Sequence, residues 1–258
     1  MKLYIRNGRN IMRKIVGYIY SIYALLTFII LMFLLFPFIA LSSFFGKVDG
    51  GNMIYRICRF WADVVLLLWG IKHKNIFEAP KSNSHAVIFV FNHISYMDIP
   101  FILKAFRKDP IRILGKAEMS KVPVFGYIYK KATVMVDRES DGGRVRSVQQ
   151  LKKVLAKNIS VVMAPEGTFN MTHKPLKEFY NGAFKIAVET KTPIQPVLFL
   201  DAYDRLNYHS IFSLTPGKSR AVFLKEIAPG SNMSILKQHV YNEMETALVR
   251  YKASWIKP

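Results

Sequence analysis

The sequence predicts an α/β fold: a mixed, largely parallel sheet flanked by helices, with an N-terminal membrane-inserted helical segment ahead of it. Three observations carry that expectation. From Tyr18 to Phe45 there is no charged residue, and after Lys72 short strand-like runs alternate with helical patterns. Three of those runs end in polar clusters, NHISYMD, DRES and PEGTFN. Ligands of open α/β sheets bind beyond the carboxyl ends of the strands, so three polar strand ends in one domain point to one shared site.

The elements justify this in order. YIYSIYALLTFIILMFLLFPFIALSSFF is longer than the ~20 apolar residues that cross a bilayer core as a helix, and it lacks the short apolar core and small-residue cleavage site of a signal peptide. Pro37 can bend it, because proline removes a helical hydrogen bond and clashes with the preceding turn. A second apolar stretch, Trp61 to Ile71, follows a link containing Gly46, Gly50 and Gly51, and it is too short to span alone. Two arrangements satisfy the pattern: one true span, or a two-helix hairpin that dips into one leaflet and returns. Residues 1–72 are therefore expected to be the membrane anchor, and residues 73–258 the domain that carries the polar strand ends. Strands are expected at Ala86–Phe91, Thr133–Val136, Ile159–Ala164, Ile194–Leu200 and Ala221–Leu224. Val145, Val148, Leu151, Val154 and Leu155 recur at three- and four-residue spacing and predict a helix with one apolar face. Ala183–Thr190 reads as a short helix and Asn232–Lys252 as a longer terminal one.

The formal net charge is +20, from 37 Lys and Arg against 17 Asp and Glu. Nucleic acid or an anionic membrane surface would each suit such a balance. The apolar run favours the membrane, and no nucleic-acid partner is expected. Arg6, Arg9, Arg13 and Lys14 precede the run, which puts the amino terminus and the lysine-rich domain on the cytoplasmic face. Cys58 is the only cysteine, which excludes a disulfide framework and a cysteine-based metal site.

His93 and Asp98 stand five residues apart behind the run AVIFVF. On a straight helix they would point about 140° apart, so they meet only if a turn separates the strand end from a helix that starts near Asp98 and Pro100. A carboxylate accepting from one ring nitrogen fixes the tautomer and raises the basicity of the other, which makes a general base. Ser95 lies beside His93, but the chain has no G-x-S-x-G elbow. His85 precedes the strand and there is no H-E-x-x-H pair, so no metal site is expected.

Together with LGKAEMSKVPVFGYIYKKATVMVDRE and VVMAPEGTFN, the NHISYMD block resembles, in order and spacing, the glycerolipid acyltransferase family. The resemblance covers roughly residues 85 to 225. It matches His93 and Asp98 to the family's His-four residues-Asp signature, and Asp137 and Arg138 to its phosphate-binding block, with Gly115, Lys116, Pro123 and Gly126 in the upstream frame. Glu166, Gly167 and Thr168 match its Glu-Gly-Thr block, and Gln195, Pro196 and Val197 an apolar-Pro-apolar turn at a strand end. The resemblance implies acyl transfer from acyl carrier protein or coenzyme A thioester to a lysolipid hydroxyl, with lysophosphatidic acid the leading acceptor. It implies His93 as base, Asp98 as its orienting partner, Lys116 and Arg138 on phosphate, and no cofactor. Glu166 would bind the acceptor's glycerol or brace the loop around Arg138, beside Gly167 and Thr168, and Pro196 would shape the acyl channel. Two departures remove positive charge near the headgroup site: Phe169 where the family usually has Arg, and Tyr180–Asn181 where it usually has a basic pair. They leave room for a less charged acceptor, such as an N-acyl amino-acid lipid. A membrane-anchored lipid-binding protein without catalysis would share the anchor and the charge, but gives no reason for the His93–Asp98 pair.

Overall fold

A computed structural model describes residues 2–80, 85–137 and 141–256. The chain begins with α1 (Lys2–Ser42), which continues through Pro37. A tight turn at Ser43–Phe45 and a wider one at Gly46–Gly50 lead into α2 (Gly51–Leu68). A side chain at Gly50 would put its Cβ 2.4 Å from the Ser42 carbonyl oxygen, so the reversal requires glycine there. The two helices form a hairpin. The Phe28 and Trp61 rings meet edge-on at 5.2 Å, Trp69 Nε1 donates to Thr27 Oγ1 at 2.9 Å, and Tyr20 Oη donates to the Trp69 carbonyl at 2.6 Å.

The two helices differ in what they bury. Lys14–Leu68 holds a helix long and apolar enough to cross a membrane, and only 11% of its most apolar window is buried against the protein. Ile19, Leu26, Phe33 and Leu41 of α1 are all exposed. On α2, by contrast, Tyr55, Ala62, Val65 and Leu66 belong to the hydrophobic core of the whole domain. Tyr55 Oη donates to the Ala132 carbonyl at 2.8 Å and accepts from Ile113 N at 3.0 Å. α2 thus packs into the core of the sheet, and residue 72, the expected boundary, lies inside the strand Ile71–Phe77.

The remaining elements are β1 (Ile71–Phe77), β2 (Ile88–Phe91), α3 (Asp98–Ala105), β3 (Ile111–Lys116), α4 (Phe125–Ala132), β4 (Thr133–Val136), α5 (Asp141–Leu155) and β5 (Ser160–Met163), followed by α6 (Gly182–Thr190), β6 (Ile194–Phe199), α7 (Ala202–Arg205), β7 (Gly217–Phe223) and α8 (Met233–Arg250). They build one seven-stranded sheet in the order β1-β7-β6-β2-β5-β3-β4. From β6 to β4 all neighbours are parallel, β7 runs antiparallel to β6, and β1 lies parallel to β7. The sheet is mixed and largely parallel, as expected. Helices α2, α3 and α4 cover one face and α5, α6 and α8 the other, which makes both faces of the central strands apolar: every residue of β2, β5 and β6 is buried.

Two strands, β1 and β3, go beyond the five expected. In β3 the obstacle is Arg112, which reads as a solvated loop residue but is buried. Its guanidinium donates to the Val48 carbonyl at 3.1 Å and to Asn52 Oδ1 at 3.0 Å, tying the hairpin turn to the sheet. Registers such as Val90↔Met163, Ile113↔Val162 and Lys116↔Val136 bring the carboxyl ends of β2, β5, β3 and β4 to one edge.

Candidate active site

β2 ends at Phe91, and Asn92 fixes where the chain leaves the sheet. Its amide oxygen accepts from Phe199 N at 2.8 Å and its amide nitrogen donates to the Phe199 carbonyl at 3.2 Å, extending the β2–β6 pairing by a side chain. A turn follows, closed by Asp98 N donating to the Ser95 carbonyl at 3.1 Å, and α3 starts at Asp98. Pro100 falls in the first helical turn, where a missing N–H costs nothing. The reversal lets Asp98 Oδ2 accept from three donors: His93 Nδ1 at 2.7 Å, Ile94 N at 3.0 Å and Ser95 N at 3.1 Å. The Asp98 side chain is 1% exposed and that of His93 26%. With Asp98 accepting, Nδ1 carries the ring proton and Nε2 the lone pair. Ser95 is not available as a nucleophile: buried, it accepts from Met97 N at 3.0 Å and donates its own proton to the Leu206 carbonyl.

The neighbouring strand supplies the second half of the site. After β5, Gly167 N donates to the Ala164 carbonyl at 3.1 Å, and Gly167 adopts φ +73°, a left-handed conformation that glycine enters without strain. The turn points Glu166 inward, where its two oxygens accept from His93 N at 2.9 Å and Lys177 N at 2.8 Å. Asn170 N in turn donates to the His93 carbonyl at 2.7 Å, so the PEGTFN loop holds both backbone groups of His93. Burial pushes the Glu166 carboxyl up to about 7, against the pull of its two backbone donors. Lys177 Nζ donates to Thr168 Oγ1 at 2.7 Å. Phe169 packs edge-on against the His93 ring at 4.5 Å and against Tyr96 at 4.9 Å. An imidazole so held can remove a proton from a hydroxyl approaching Nε2 and return it to a leaving group.

Residues 70–200 match the family model described as Acyltransferase. The chain belongs to the acyltransferase family. It is 30% identical over 135 residues to a 1-acyl-sn-glycerol-3-phosphate acyltransferase of Cocos nucifera, an alignment covering 52% of this chain and 43% of that relative. It is 28% identical over 142 residues to a lyso-ornithine lipid O-acyltransferase of Pseudomonas aeruginosa, covering 55% of this chain and 52% of that one. The chain thus spans less than half the length of the first and about half that of the second. Its fold matches the crystal structure of the 1-acyl-sn-glycerophosphate (LPA) acyltransferase of Thermotoga maritima with a TM-score of 0.72 at 22% identity, over 95% of this chain and 99% of that one.

Within this member of the acyltransferase family the structure brings His93, Asp98, Glu166, Gly167 and Thr168 into one cluster. Lys116 ends β3 and is exposed on the same edge of the sheet. Arg138 lies outside the described residues, one position beyond Asp137. Pro196 is not in a turn but within β6, opposite Val90 of β2. It is tolerated there because the β6–β7 ladder is interrupted between the Ile194–Ile227 bridge and the Val197–Phe223 pair. Gln195 Nε2 donates to the Leu224 carbonyl at 2.9 Å at that interruption, supplying a side-chain donor beside the residue that has no N–H. Sequence reasoning gave no role to Asn92 and Asn170, which open and close the polar clusters NHISYMD and PEGTFN.

Proposed function

We propose that this acyltransferase moves a fatty acyl group from an acyl thioester, on acyl carrier protein or coenzyme A, to the free hydroxyl of lysophosphatidic acid, giving phosphatidic acid. The observation that carries the proposal is the buried Asp98 carboxylate 2.7 Å from His93 Nδ1, which leaves Nε2 free for the acceptor. As the hydroxyl oxygen bonds to the thioester carbon, its proton passes to Nε2. The tetrahedral adduct collapses, the C–S bond breaks, and the imidazolium returns the proton to the thiolate. These are acid–base and carbonyl steps, so no nucleophilic side chain and no cofactor is proposed. Lys116 and Arg138 are proposed to read the acceptor's phosphate, since charge-assisted bonds to phosphate suit both side chains. Glu166 supports the site through backbone, both its oxygens being taken. Thr168 and Gly167 shape the same loop, and Pro196 is proposed to wall the acyl channel.

The exposed apolar face of α1 supports a membrane location, and the basic residues before it support a cytoplasmic catalytic face. A second acceptor reading has a specific observation behind it. Phe169, an uncharged ring, packs on the imidazole, which suits a phosphate-free lysolipid, and one relative is named for such a substrate. The test is turnover of acyl thioester by the purified enzyme against a panel of lysolipids. Consumption is expected only with a lysolipid present, fastest with lysophosphatidic acid, and Arg138→Ala should raise its KM steeply. Preference for a phosphate-free lysolipid, with Arg138→Ala nearly silent, would replace the acceptor and leave acyl transfer standing. No consumption with any lysolipid would favour a non-catalytic lipid-binding protein.

A further inference from the structure

One apolar surface outside α1 lies directly against it. Between α7 and β7 the chain forms a loop that spends its polar groups on itself: Asn207 N donates to Ser213 Oγ at 3.0 Å, Phe212 N to Ser210 Oγ at 3.1 Å, and Ser213 N to the Ser210 carbonyl at 3.1 Å. At its tip Ile211 is 61% and Phe212 40% exposed. The Phe212 ring sits 5.6 Å from that of Tyr18 on α1, so the tip continues the exposed apolar face that Ile15 and Ile19 begin. The residues at this junction have the chemistry of a lipid headgroup layer, aromatic rings with polar tips. Tyr23 Oη donates to the Leu68 carbonyl at 3.3 Å, close to the Tyr20–Trp69 bond already described, and Tyr203 packs on Tyr208 at 5.5 Å. Lys14, exposed and one helical turn before Tyr18, adds a cation suited to anionic headgroups.

The root of the loop is fastened to the catalytic turn, because Ser95 Oγ donates to the Leu206 carbonyl. The root of the loop thus adjoins the turn that carries His93; Tyr96, exposed, lies on that turn, and Ile99, also exposed, on the first turn of α3. We propose that the Ile211–Phe212 loop is a second lipid contact, which with α1 seats the mouth of the active site on the bilayer, so that a lysolipid reaches His93 from the leaflet. The proposal rests on the reading of α1 as lipid-facing. Lipid is the occupant because the surface is continuous with that helix and bordered by interfacial aromatics.

The test uses the full chain with vesicles of phosphatidylcholine and phosphatidylglycerol. In a Cys58→Ser background, Ile211→Cys, Ile19→Cys and Gln238→Cys each carry an environment-sensitive fluorophore. Vesicles should shift the probe at 211 and at 19 to the blue, and leave the probe at 238, on α8, unchanged. The Ile211→Asp/Phe212→Asp variant should lose about tenfold or more in turnover of long-chain lysolipid held in vesicles, as expected for two side chains no longer buried in lipid. Its turnover of a short-chain monomeric lysolipid should stay as in the wild type. A blue shift at 19 without one at 211 overturns the loop's role, as does an equal loss on both substrates. If no probe shifts, the membrane reading itself fails.

Discussion

At residue scale, the orientation of the imidazole hangs on one oxygen of Asp98, which takes three donors. General-base catalysis contributes ~10²–10⁴-fold, and His93→Ala is expected to lose at least that much in kcat/KM while its thermal melt stays near that of the wild type. Asp98→Asn keeps the size but removes the charge that stabilises the imidazolium, and steady-state kinetics should show a comparable loss. Glu166 makes a different prediction, in stability and pH. Its carboxyl is raised to about 7 in the folded protein from an ordinary 4.5. A raised pKa contributes stability that is full below the ordinary value and is lost as pH rises through about 7. Glu166→Gln abolishes that slope and turns an NH₂ toward one of the two backbone donors, leaving a buried N–H unpaired at a cost of about 1–3 kcal/mol. Urea melts should therefore find the variant less stable than the wild type at pH 5, with the gap narrowing toward pH 7.5. A gap that widens with pH would show that the charged form is the favoured one.

At the scale of elements, the loop from β3 to α4 depends on close backbone approach. A Cβ on Gly126 would lie 2.2 Å from the Ser120 carbonyl oxygen and 2.6 Å from its carbon. Backbone cannot swing aside as a side chain does, so Gly126→Ala is expected to destabilise by about 1–3 kcal/mol, seen as a lower urea midpoint. Asn232 caps α8 by accepting from Ser234 N at 2.9 Å and Ile235 N at 3.1 Å. Asn232→Ala should cost ~1 kcal/mol in the same assay and leave turnover unchanged. Which elements were legible in the sequence follows from the same physics. β2, β5 and β6 are buried on both faces and read as mostly apolar runs, broken only by Ser160 and Gln195. β1, IKHKNIF, has four polar residues in a row directly behind the α2 apolar stretch, and Arg112 disguises β3. In the site, the turn between His93 and Asp98 is local and could be inferred from their spacing. The Glu166 bond to His93 N joins residues 73 apart, and no local pattern encodes such a contact. For that reason the sequence left Glu166 open between gripping the acceptor and bracing the loop around Arg138, a residue that lies outside the described ones.

For the whole molecule, the hairpin divides unequally between exposed apolar surface and core. Removing residues 1–72 takes Tyr55, Ala62, Val65 and Leu66 out of the core along with the start of β1, and that fragment is expected to be insoluble. A chain beginning at Ser43 keeps α2 and should stay folded by circular dichroism, yet bind vesicles poorly and work slowly on lipid held in them. Vesicle binding equal to that of the full chain would assign α1 another purpose. The sheet order has a further consequence, in the timing of synthesis. β1 finds its strand partner only in β7, with His73 meeting Ser219 across 146 residues of chain. At about 5–20 residues per second on the ribosome, that is roughly 7–30 s. Throughout it both greasy helices have been made and the strand edge beside them has none of its partners. On the proposed lipid-facing reading of α1, the bilayer receives its exposed apolar side in that interval, while α2 waits for the strands it packs against. Translation beside a membrane should therefore yield more folded enzyme than translation in free solution, before any substrate is present.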